Sequence, residues 1–125
     1  MKNEQLDHIL IAGPSGGGKT TLANIIANKY GAPIKVYSGS FIKKVQDMVD
    51  ILNTVEEGDI IFIDEIHAIT RKVQERLYFA MERFVIDTEE DDEQVRVSIP
   101  HFTCIGATTS FGGLEEPCRN RFGIH

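Results

Sequence analysis

The sequence lacks the features that mark secreted, membrane-spanning and zinc-binding proteins. It contains two cysteines, Cys104 and Cys118, which form neither a disulfide framework nor a CxxC site. No run of about 18 apolar residues is present and the N-terminal stretch MKNEQLDH is polar, so we expect neither a membrane span nor a signal peptide. The four histidines do not have the spacing of metal ligands. The simplest interpretation is a cytoplasmic protein with free thiols.

The chain also lacks an excess of basic residues. Lysine and arginine number 13 against 19 acidic residues, which gives a net charge of -6. A surface that neutralises many phosphates is usually basic, so this chain is not expected to hold DNA or RNA by itself. The remaining composition, 42% hydrophobic and 26% charged, is that of an ordinary globular protein, and 125 residues are enough for one domain.

The apolar pattern alternates between strand-like and helix-like segments, which predicts a parallel sheet with crossover helices. Predicted strands lie at residues 8–13, 34–37, 60–64 and 102–109, and predicted helices at 19–30, 41–53 and 71–84. In the first helix, Leu22, Ile25, Ile26 and Tyr30 fall near one face. Residues 84–100 have an acidic middle between two apolar flanks, which predicts an inserted β-hairpin with a charged tip.

Residues 13–20, GPSGGGKT, match the phosphate-binding pattern G-x-x-x-x-G-K-[ST] between a predicted strand and a predicted helix. Glycines let the backbone approach an anion closely, and N–H groups at a helix start can point at phosphate oxygens. We expect Lys19 to reach the β- and γ-phosphates of a nucleotide and the Thr20 hydroxyl to bind Mg²⁺. A flexible linker is the alternative, but a linker would not lie between an apolar strand and a helix. The candidate binding residues are Gly13, Pro14, Ser15, Gly16, Gly17, Gly18, Lys19, Thr20 and Thr21.

Two adjacent carboxylates, Asp64 and Glu65, end the apolar strand IIFID. Neighbouring acids at the end of a strand are costly unless a cation is nearby, and the nucleotide's Mg²⁺ would be that cation. Asp64 would hold the metal through water, and Glu65 would orient and activate the attacking water. The alternative is an acidic cap on the following helix. We interpret His67 as a residue of the following turn rather than a catalytic group.

Thr108 and Thr109 end the last predicted strand. If that strand lies between the glycine-loop strand and the acidic strand, a hydroxyl there meets the γ-phosphate; the alternative is local hydrogen bonding within the strand. Arg119 and Arg121 follow, and an arginine at this place could reach the site of a neighbouring subunit and stabilise transition-state charge. Surface arginines paired with nearby glutamates are the other interpretation.

These segments together resemble the AAA+ ATPases and, within them, the RuvB family of motors that drive branch migration at Holliday junctions. The resemblance rests on LDHILIAGPSGGGKTTLANIIA, GDIIFIDEIHAI, FTCIGATT and EEPCRNRFGI, and it covers nearly the whole chain. It implies an α/β P-loop NTPase with sheet order 5-1-4-3-2, whose fifth strand we expect to be missing here. We therefore expect residues 1–125 to form one nucleotide-binding core, with the hairpin at 84–100 inserted in it.

The resemblance also implies roles for single residues. Lys19 and Thr20 match the Walker A pair, and Asp64 and Glu65 match the Walker B pair of an ATP hydrolase that uses ATP and Mg²⁺. Thr109 matches the threonine that senses the γ-phosphate.

For the ring contacts, Arg121 matches the family's arginine finger, with Arg119 as the alternative. The family implies a homo-hexameric ring that pulls duplex DNA during recombination and repair.

Some features depart from the family pattern. The family's hairpin docks on the partner RuvA through apolar residues, whereas this hairpin is acidic, which leaves open whether a RuvA-like partner is bound in the same way. The hairpin acids are Asp87, Glu89, Glu90, Asp91, Asp92 and Glu93.

A segment that helps enclose adenine, the helical lid and the winged-helix domain that contacts DNA have no counterpart in these residues, so we expect a fragment or a truncated homologue. A nucleotide-binding or ring-interaction module without turnover, and another AAA+ branch such as a clamp-loader subunit, are the alternative functions.

Overall fold

Apolar, β-branched segments form the strands of the computed structural model, which describes residues 8–13, 18–109 and 123–124. The strands are β1 (Ile9–Ala12), β2 (Ile34–Ser38), β3 (Ile60–Asp64), β4 (Val85–Glu90), β5 (Glu93–Ser98), β6 (Thr103–Thr108) and β7 (Gly123–Ile124). The helices are α1 (Lys19–Tyr30), α2 (Val45–Leu52) and α3 (Arg71–Arg83). Within the described ranges, no helix is long and apolar enough to cross a membrane.

Five of the strands form one parallel sheet in the order β2-β3-β6-β1-β7. This is the predicted order 5-1-4-3-2, because β6 and β7 are the fourth and fifth strands of that scheme. The expectation that the fifth strand is missing is wrong. Gly123 and Ile124 pair with Ile9 and Leu10 of β1, so the outer side of β1 already has a parallel partner over two residues.

Alternate residues of the central strands point to opposite faces of the sheet and build two hydrophobic clusters. Leu10, Ile61 and Ile63 pack with buried residues of α2 and α3 on one face. On the other face, Ala23 and Ala27 of α1 pack against strand residues. The buried members of this second cluster are Ile9, Ile11, Ala23, Ala27, Ile60, Phe62, Ile105 and Ala107. Because the central strands are covered on both sides, the sheet can fix the position of its carboxyl edge.

Of the four residues predicted to form the apolar face of α1, Ile26 packs against the sheet and the other three are exposed. The two small side chains Ala23 and Ala27 are buried, whereas Leu22 is 42%, Ile25 57% and Tyr30 46% exposed. Alanines four residues apart let the helix backbone approach the strands closely, and larger side chains are directed away from that contact. The periodicity of large apolar residues therefore identified Ile26 correctly but missed the two alanines that form the centre of the contact.

The second helix is shorter than predicted and begins at Val45. Residues Gly39–Phe41 form a separate 3₁₀ turn instead of the first helical turn. The backbone N–H groups of Lys43 and Lys44 each donate to Asp47 Oδ2 at 3.0 Å. These two hydrogen bonds, of which the one from Lys44 has the larger effect, lower the pKa of the Asp47 carboxyl group. They also fix the start of α2 at Val45.

The predicted hairpin is present as β4 and β5, an antiparallel pair inserted between α3 and β6. Asp91 and Asp92 form its two-residue turn with φ angles of 51° and 65°. Arg96 donates from Nε to Asp87 Oδ1 at 2.9 Å and lies over the Phe79 ring, with Cζ 4.8 Å from the ring centroid. This hydrogen bond from Arg96 joins β5 to β4 and lowers the pKa of Asp87, while the contact of Arg96 with Phe79 attaches the hairpin to α3.

His8 links the start of β1 to two other elements. Its Nδ1 accepts a hydrogen bond from the Cys104 backbone N–H at 2.9 Å, and its Nε2 lies 3.1 Å from the Met81 carbonyl oxygen. Because Nδ1 is an acceptor, the ring is neutral with its proton on Nε2, which donates to Met81. The ring is buried, with its centroid 5.8 Å from that of Phe102.

Replacing His8 by phenylalanine should lower the free energy of unfolding by about 1–3 kcal/mol, because two buried polar contacts are lost while the ring volume is nearly kept. Urea unfolding of His8→Phe measures this effect. The matched control is His101→Phe, at an exposed histidine that stacks on Phe84 and should tolerate the change better. Equal stability of the two variants would contradict the role assigned to His8.

Candidate functional site

The position of β6 brings the described residues of the predicted site to one edge of the sheet. β6 lies between β1 and β3, and its Thr108 is level with Ala12, the last residue of β1. The carboxyl ends of the three parallel strands therefore share one edge. With β6 between them, the ends of β1 and β3 are two strand spacings apart, roughly 10 Å. A group the size of a phosphate with its metal ion can be contacted from both strands.

The described ends of the glycine loop are close to each other. Gly13 follows β1, and Gly18 precedes α1 in the left-handed conformation with φ 86°. Lys19 opens the helix, and its Nζ donates to the Gly13 carbonyl oxygen at 3.1 Å. Pro14, Ser15, Gly16 and Gly17 lie outside the described residues. The Lys19 side chain thus connects the two described ends of the loop, and its positive charge lies where an anion in the loop would bind.

The first turn of α1 favours an anion. It contains no acidic residue, and both Thr20 and Thr21 are exposed there. The first N–H groups of any helix have no partner inside the helix, and the helix dipole adds partial positive charge at the same end. Together with Lys19, this end of α1 supplies the donors that phosphate oxygens need.

The acidic pair lies where β3 ends, with Asp64 as the last residue of the strand and Glu65 directly after it. Asp64 is half-buried, and its Oδ1 accepts a hydrogen bond from the Glu65 N–H at 2.9 Å. Glu65 is exposed and has φ 51° and ψ 48°, a left-handed conformation that costs a non-glycine residue about 1–2 kcal/mol. A 3₁₀ turn, Ile66–Ala68, follows, and α3 begins only at Arg71. The Glu65 side chain makes no capping hydrogen bond, which argues against a helix cap as its purpose.

Two glycines allow close packing around this acidic turn. A Cβ atom on Gly39 would overlap the Glu65 carbonyl oxygen and lie 3.0 Å from the Glu65 carbonyl carbon. A Cβ atom on Gly106 would lie 2.8 Å from Cδ1 of Ile66, a fully buried side chain. Gly39, in the turn after β2, therefore packs directly against Glu65, and Gly106 of β6 packs against the next residue, Ile66. Sequence reasoning missed both glycines, because neither belongs to a recognised motif.

The two threonines at the end of β6 differ in their surroundings. β6 ends at Thr108, which is fully buried, and Thr109 follows the strand and is exposed. A hydrogen bond of 2.8 Å joins Thr108 Oγ1 to His67 Nδ1, across 41 residues of sequence. The Thr108 carbonyl oxygen accepts a hydrogen bond from the Gly13 N–H at 3.1 Å. The Thr108 hydroxyl is thus bonded to a side chain that is distant in the sequence.

The predicted arginines, Arg119 and Arg121, lie outside the described residues. Of the site residues predicted from the sequence, the structure therefore gathers the two loop ends, the helix start, the acidic pair and Thr109 at the carboxyl edge.

The acids at this edge fit a metal ion that arrives with phosphates. Among the described residues, no group of three or more histidine, cysteine or acidic side chains could hold a metal. Mg²⁺ is commonly bound by one or two carboxylates together with waters and substrate phosphates, rather than by a cage of protein ligands alone. Asp64 with the Thr20 hydroxyl is a donor set of that kind.

A parallel sheet of this order, with a glycine-rich loop between β1 and α1 and acids after β3, defines a P-loop NTPase, a nucleotide-binding class. Comparison with known proteins gives the family. The model of the RuvB_N family, the P-loop domain of the Holliday junction DNA helicase RuvB, matches residues 1–125. The chain belongs to this RuvB P-loop domain family.

Several curated relatives share about half of the sequence. RuvB of Acholeplasma laidlawii, a Holliday junction branch migration complex subunit, is 52% identical over 126 residues, which are 98% of this chain and 37% of the relative. The Fervidobacterium nodosum protein of the same name is 52% identical over 128 residues, 99% of this chain and 37% of the relative. The chain therefore spans less than two-fifths of the length of these relatives.

Solved structures agree with the fold. The Thermotoga maritima RuvB branch migration motor matches with a TM-score of 0.79 and 49% identity, over 95% of this chain and 36% of that protein. A point mutant of the same protein reaches a TM-score of 0.84. NtrX of Brucella abortus, solved with ADP, has a TM-score of 0.73 at 20% identity, a likeness of fold alone.

The substitution Gly39→Ala should lower the free energy of unfolding by about 1–3 kcal/mol, because the new methyl group overlaps the Glu65 carbonyl and the turn must shift. Gly39 does not have a positive φ, so backbone strain does not contribute. Urea unfolding checks the effect, with Ser40→Ala, at an exposed position of the same turn, as the control. If Gly39→Ala unfolds at the same urea concentration as Ser40→Ala, the close approach to Glu65 is not a constraint.

Proposed function

We propose that this chain is the nucleotide-binding core of a Mg²⁺-dependent ATPase motor that drives branch migration at Holliday junctions. The observation that carries the proposal is the shared carboxyl edge of the sheet. There, one strand, β6, separates Lys19 and the start of α1 from Asp64 and Glu65. The relatives' names, which describe subunits of a branch migration complex, support the biological role. Recombination and repair of DNA are the processes that such a motor serves.

In this proposal the loop residues bind the phosphates of ATP or ADP. Lys19 exchanges the Gly13 carbonyl for the β- and γ-phosphates, since an ammonium gains more from two anionic oxygens than from one neutral carbonyl. The Thr20 hydroxyl and Asp64, the latter through water, hold Mg²⁺. The metal, when bound, neutralises charge on the phosphate oxygens.

Glu65 is the residue that orients and activates the attacking water. Its exposed carboxylate follows the end of β3, while Asp64 is oriented by the Glu65 N–H. A carboxylate within hydrogen-bond reach of water can accept the proton that the attack releases. In this proposal Thr109, which is exposed directly after β6, contacts the γ-phosphate and helps to position this water.

Arg121 completes the site of a neighbouring subunit in a ring, where its guanidinium stabilises the charge of the transferring phosphoryl group. Arg119 is the alternative for this role. A homo-hexamer is the assembly that the family suggests. With a net charge of -6, the chain leaves DNA contact to other parts of a full-length motor.

The hairpin β4–β5 is the element proposed to meet a RuvA-like partner. Its described tip residues Asp91, Asp92 and Glu93 are exposed, and Val97 on β5 is exposed as well. An acidic tip favours a basic surface on the partner, in addition to apolar contact through β5.

Lys19→Ala should weaken binding of ADP and ATP at least tenfold, because the phosphates lose their cationic partner at the loop. Isothermal titration with each nucleotide measures this. Lys29→Ala removes an exposed lysine from the last turn of the same helix and should leave the affinity unchanged. Undiminished binding or phosphate release by Lys19→Ala would contradict the assignment of this site.

Glu65→Gln should retain nucleotide binding and lower the rate of phosphate release by roughly 100-fold or more, because the amide cannot take the proton from water. Glu82→Gln, at an exposed position of α3, is the control. A wild-type chain that binds nucleotide and releases no phosphate, also when concentrated enough to self-associate, would identify a binding module without turnover. Full turnover by Glu65→Gln would exclude Glu65 as the base.

A further inference from the structure

Thr108 connects the two halves of the carboxyl edge. Its backbone carbonyl accepts the N–H of Gly13, the first residue of the glycine loop, at 3.1 Å. Its side-chain hydroxyl is bonded to His67, in the turn that carries the acidic pair, at 2.8 Å. Thr108 itself is fully buried, and its partner His67 is half-buried. One residue of the central strand therefore contacts both the loop and the acidic turn.

His67 is connected to Glu65 by a short hydrogen-bonded turn. It is the middle residue of the 3₁₀ turn Ile66–Ala68, and the Ala68 N–H donates to the Glu65 carbonyl oxygen at 2.9 Å. Ile66 on one side of it is fully buried against Gly106. A shift of the His67 ring is thus transmitted to the left-handed Glu65 through a single closed turn.

β3 and β1 do not pair with each other, because β6 lies between them. The distance between the acidic pair and the glycine loop is consequently set by contacts that cross β6. The backbone ladder fixes the strands themselves, but it ends at Ile63 on the β3 side, before the acidic pair begins. The bond between His67 and Thr108 continues the connection beyond the ladder, at the level where the acids lie.

We propose that Thr108 and His67 form a positioning pair, which holds the Asp64–Glu65 turn at the correct distance from the glycine loop. The inference rests on the proposed function, because it assigns the acids their role toward Mg²⁺ and water. Neither residue is assigned a contact with the nucleotide. Errors of about 1 Å in the placement of reacting groups cost large factors in rate, so a hydrogen bond that fixes this distance has functional value.

The experiment measures the affinity of a non-hydrolysable ATP analogue with EDTA and with Mg²⁺. The affinity in EDTA reports on the loop, and the gain on adding Mg²⁺ reports on the acidic turn. For Thr108→Val and for His67→Phe, we expect an EDTA affinity within about twofold of wild type. The Mg²⁺-dependent gain should fall roughly tenfold, as is typical when residues that orient metal ligands are replaced.

Matched variants separate positioning from general destabilisation. Thr108→Ser keeps the hydroxyl, and His67→Asn keeps a polar nitrogen near the position of Nδ1, so both should retain most of the gain. Thr103→Val makes the same chemical change as Thr108→Val at the opposite end of β6 and should leave the gain unchanged. The double variant Thr108→Val/His67→Phe should lose no more than either single variant, because one bond is removed in all three.

Asp64→Asn and Lys19→Ala distinguish the two proposals. If the wild-type chain does not bind the analogue, or if Lys19→Ala binds it equally well, the proposed function fails and this inference with it. If Asp64→Asn abolishes the Mg²⁺ gain while Thr108→Val and His67→Phe keep it in full, only the positioning pair is overturned. It is also overturned if the two losses add in the double variant, or if EDTA affinity falls as much as the gain.

Discussion

The parallel pairing of β6 between β1 and β3 is the constraint on which the rest of the structure depends. It places the glycine loop and the acidic turn at the same edge of the sheet, separated by one strand. Thr103–Thr108 is buried at every residue, so the strand is fixed from both faces. At the end of this strand, Thr108 is hydrogen-bonded both to Gly13 of the glycine loop and to His67, which follows the acidic pair.

The turn after β3 shows how packing imposes an unfavourable backbone conformation. Glu65 has positive φ although it has a side chain, and the close approach of Gly39 and the burial of Ile66 hold it there. Strain of this kind persists where the surrounding structure determines the backbone, and such places are frequently functional. The same geometry leaves the Glu65 carboxylate exposed at the carboxyl edge and buries the side chain of Ile66.

Much of the fold could be predicted because apolar runs and turn residues are local signals. β3 has the predicted bounds, α1 does too, and the hairpin lies where its acidic middle indicated. The buried side of α1 could not be predicted, since Ala23 and Ala27 carry little hydrophobic signal and their burial depends on the sheet. The pairing of Gly123 and Ile124 with β1 was missed because two residues have no recognisable strand pattern. The site residues came from motifs, whereas Gly39, Gly106 and the His67–Thr108 bond depend on tertiary contacts that no local pattern encodes.

The central claim is that this edge binds the phosphates of a nucleotide between the glycine loop and the acidic turn. A crystal structure of the chain with Mg²⁺ and a non-hydrolysable ATP analogue tests it most directly. The account predicts that Lys19 Nζ leaves the Gly13 carbonyl to contact the γ-phosphate, with the metal ion near the Thr20 hydroxyl and on the Asp64 side of that phosphate. A nucleotide bound elsewhere, or phosphates at the edge without Lys19 contact and with the metal remote from Asp64, would contradict it.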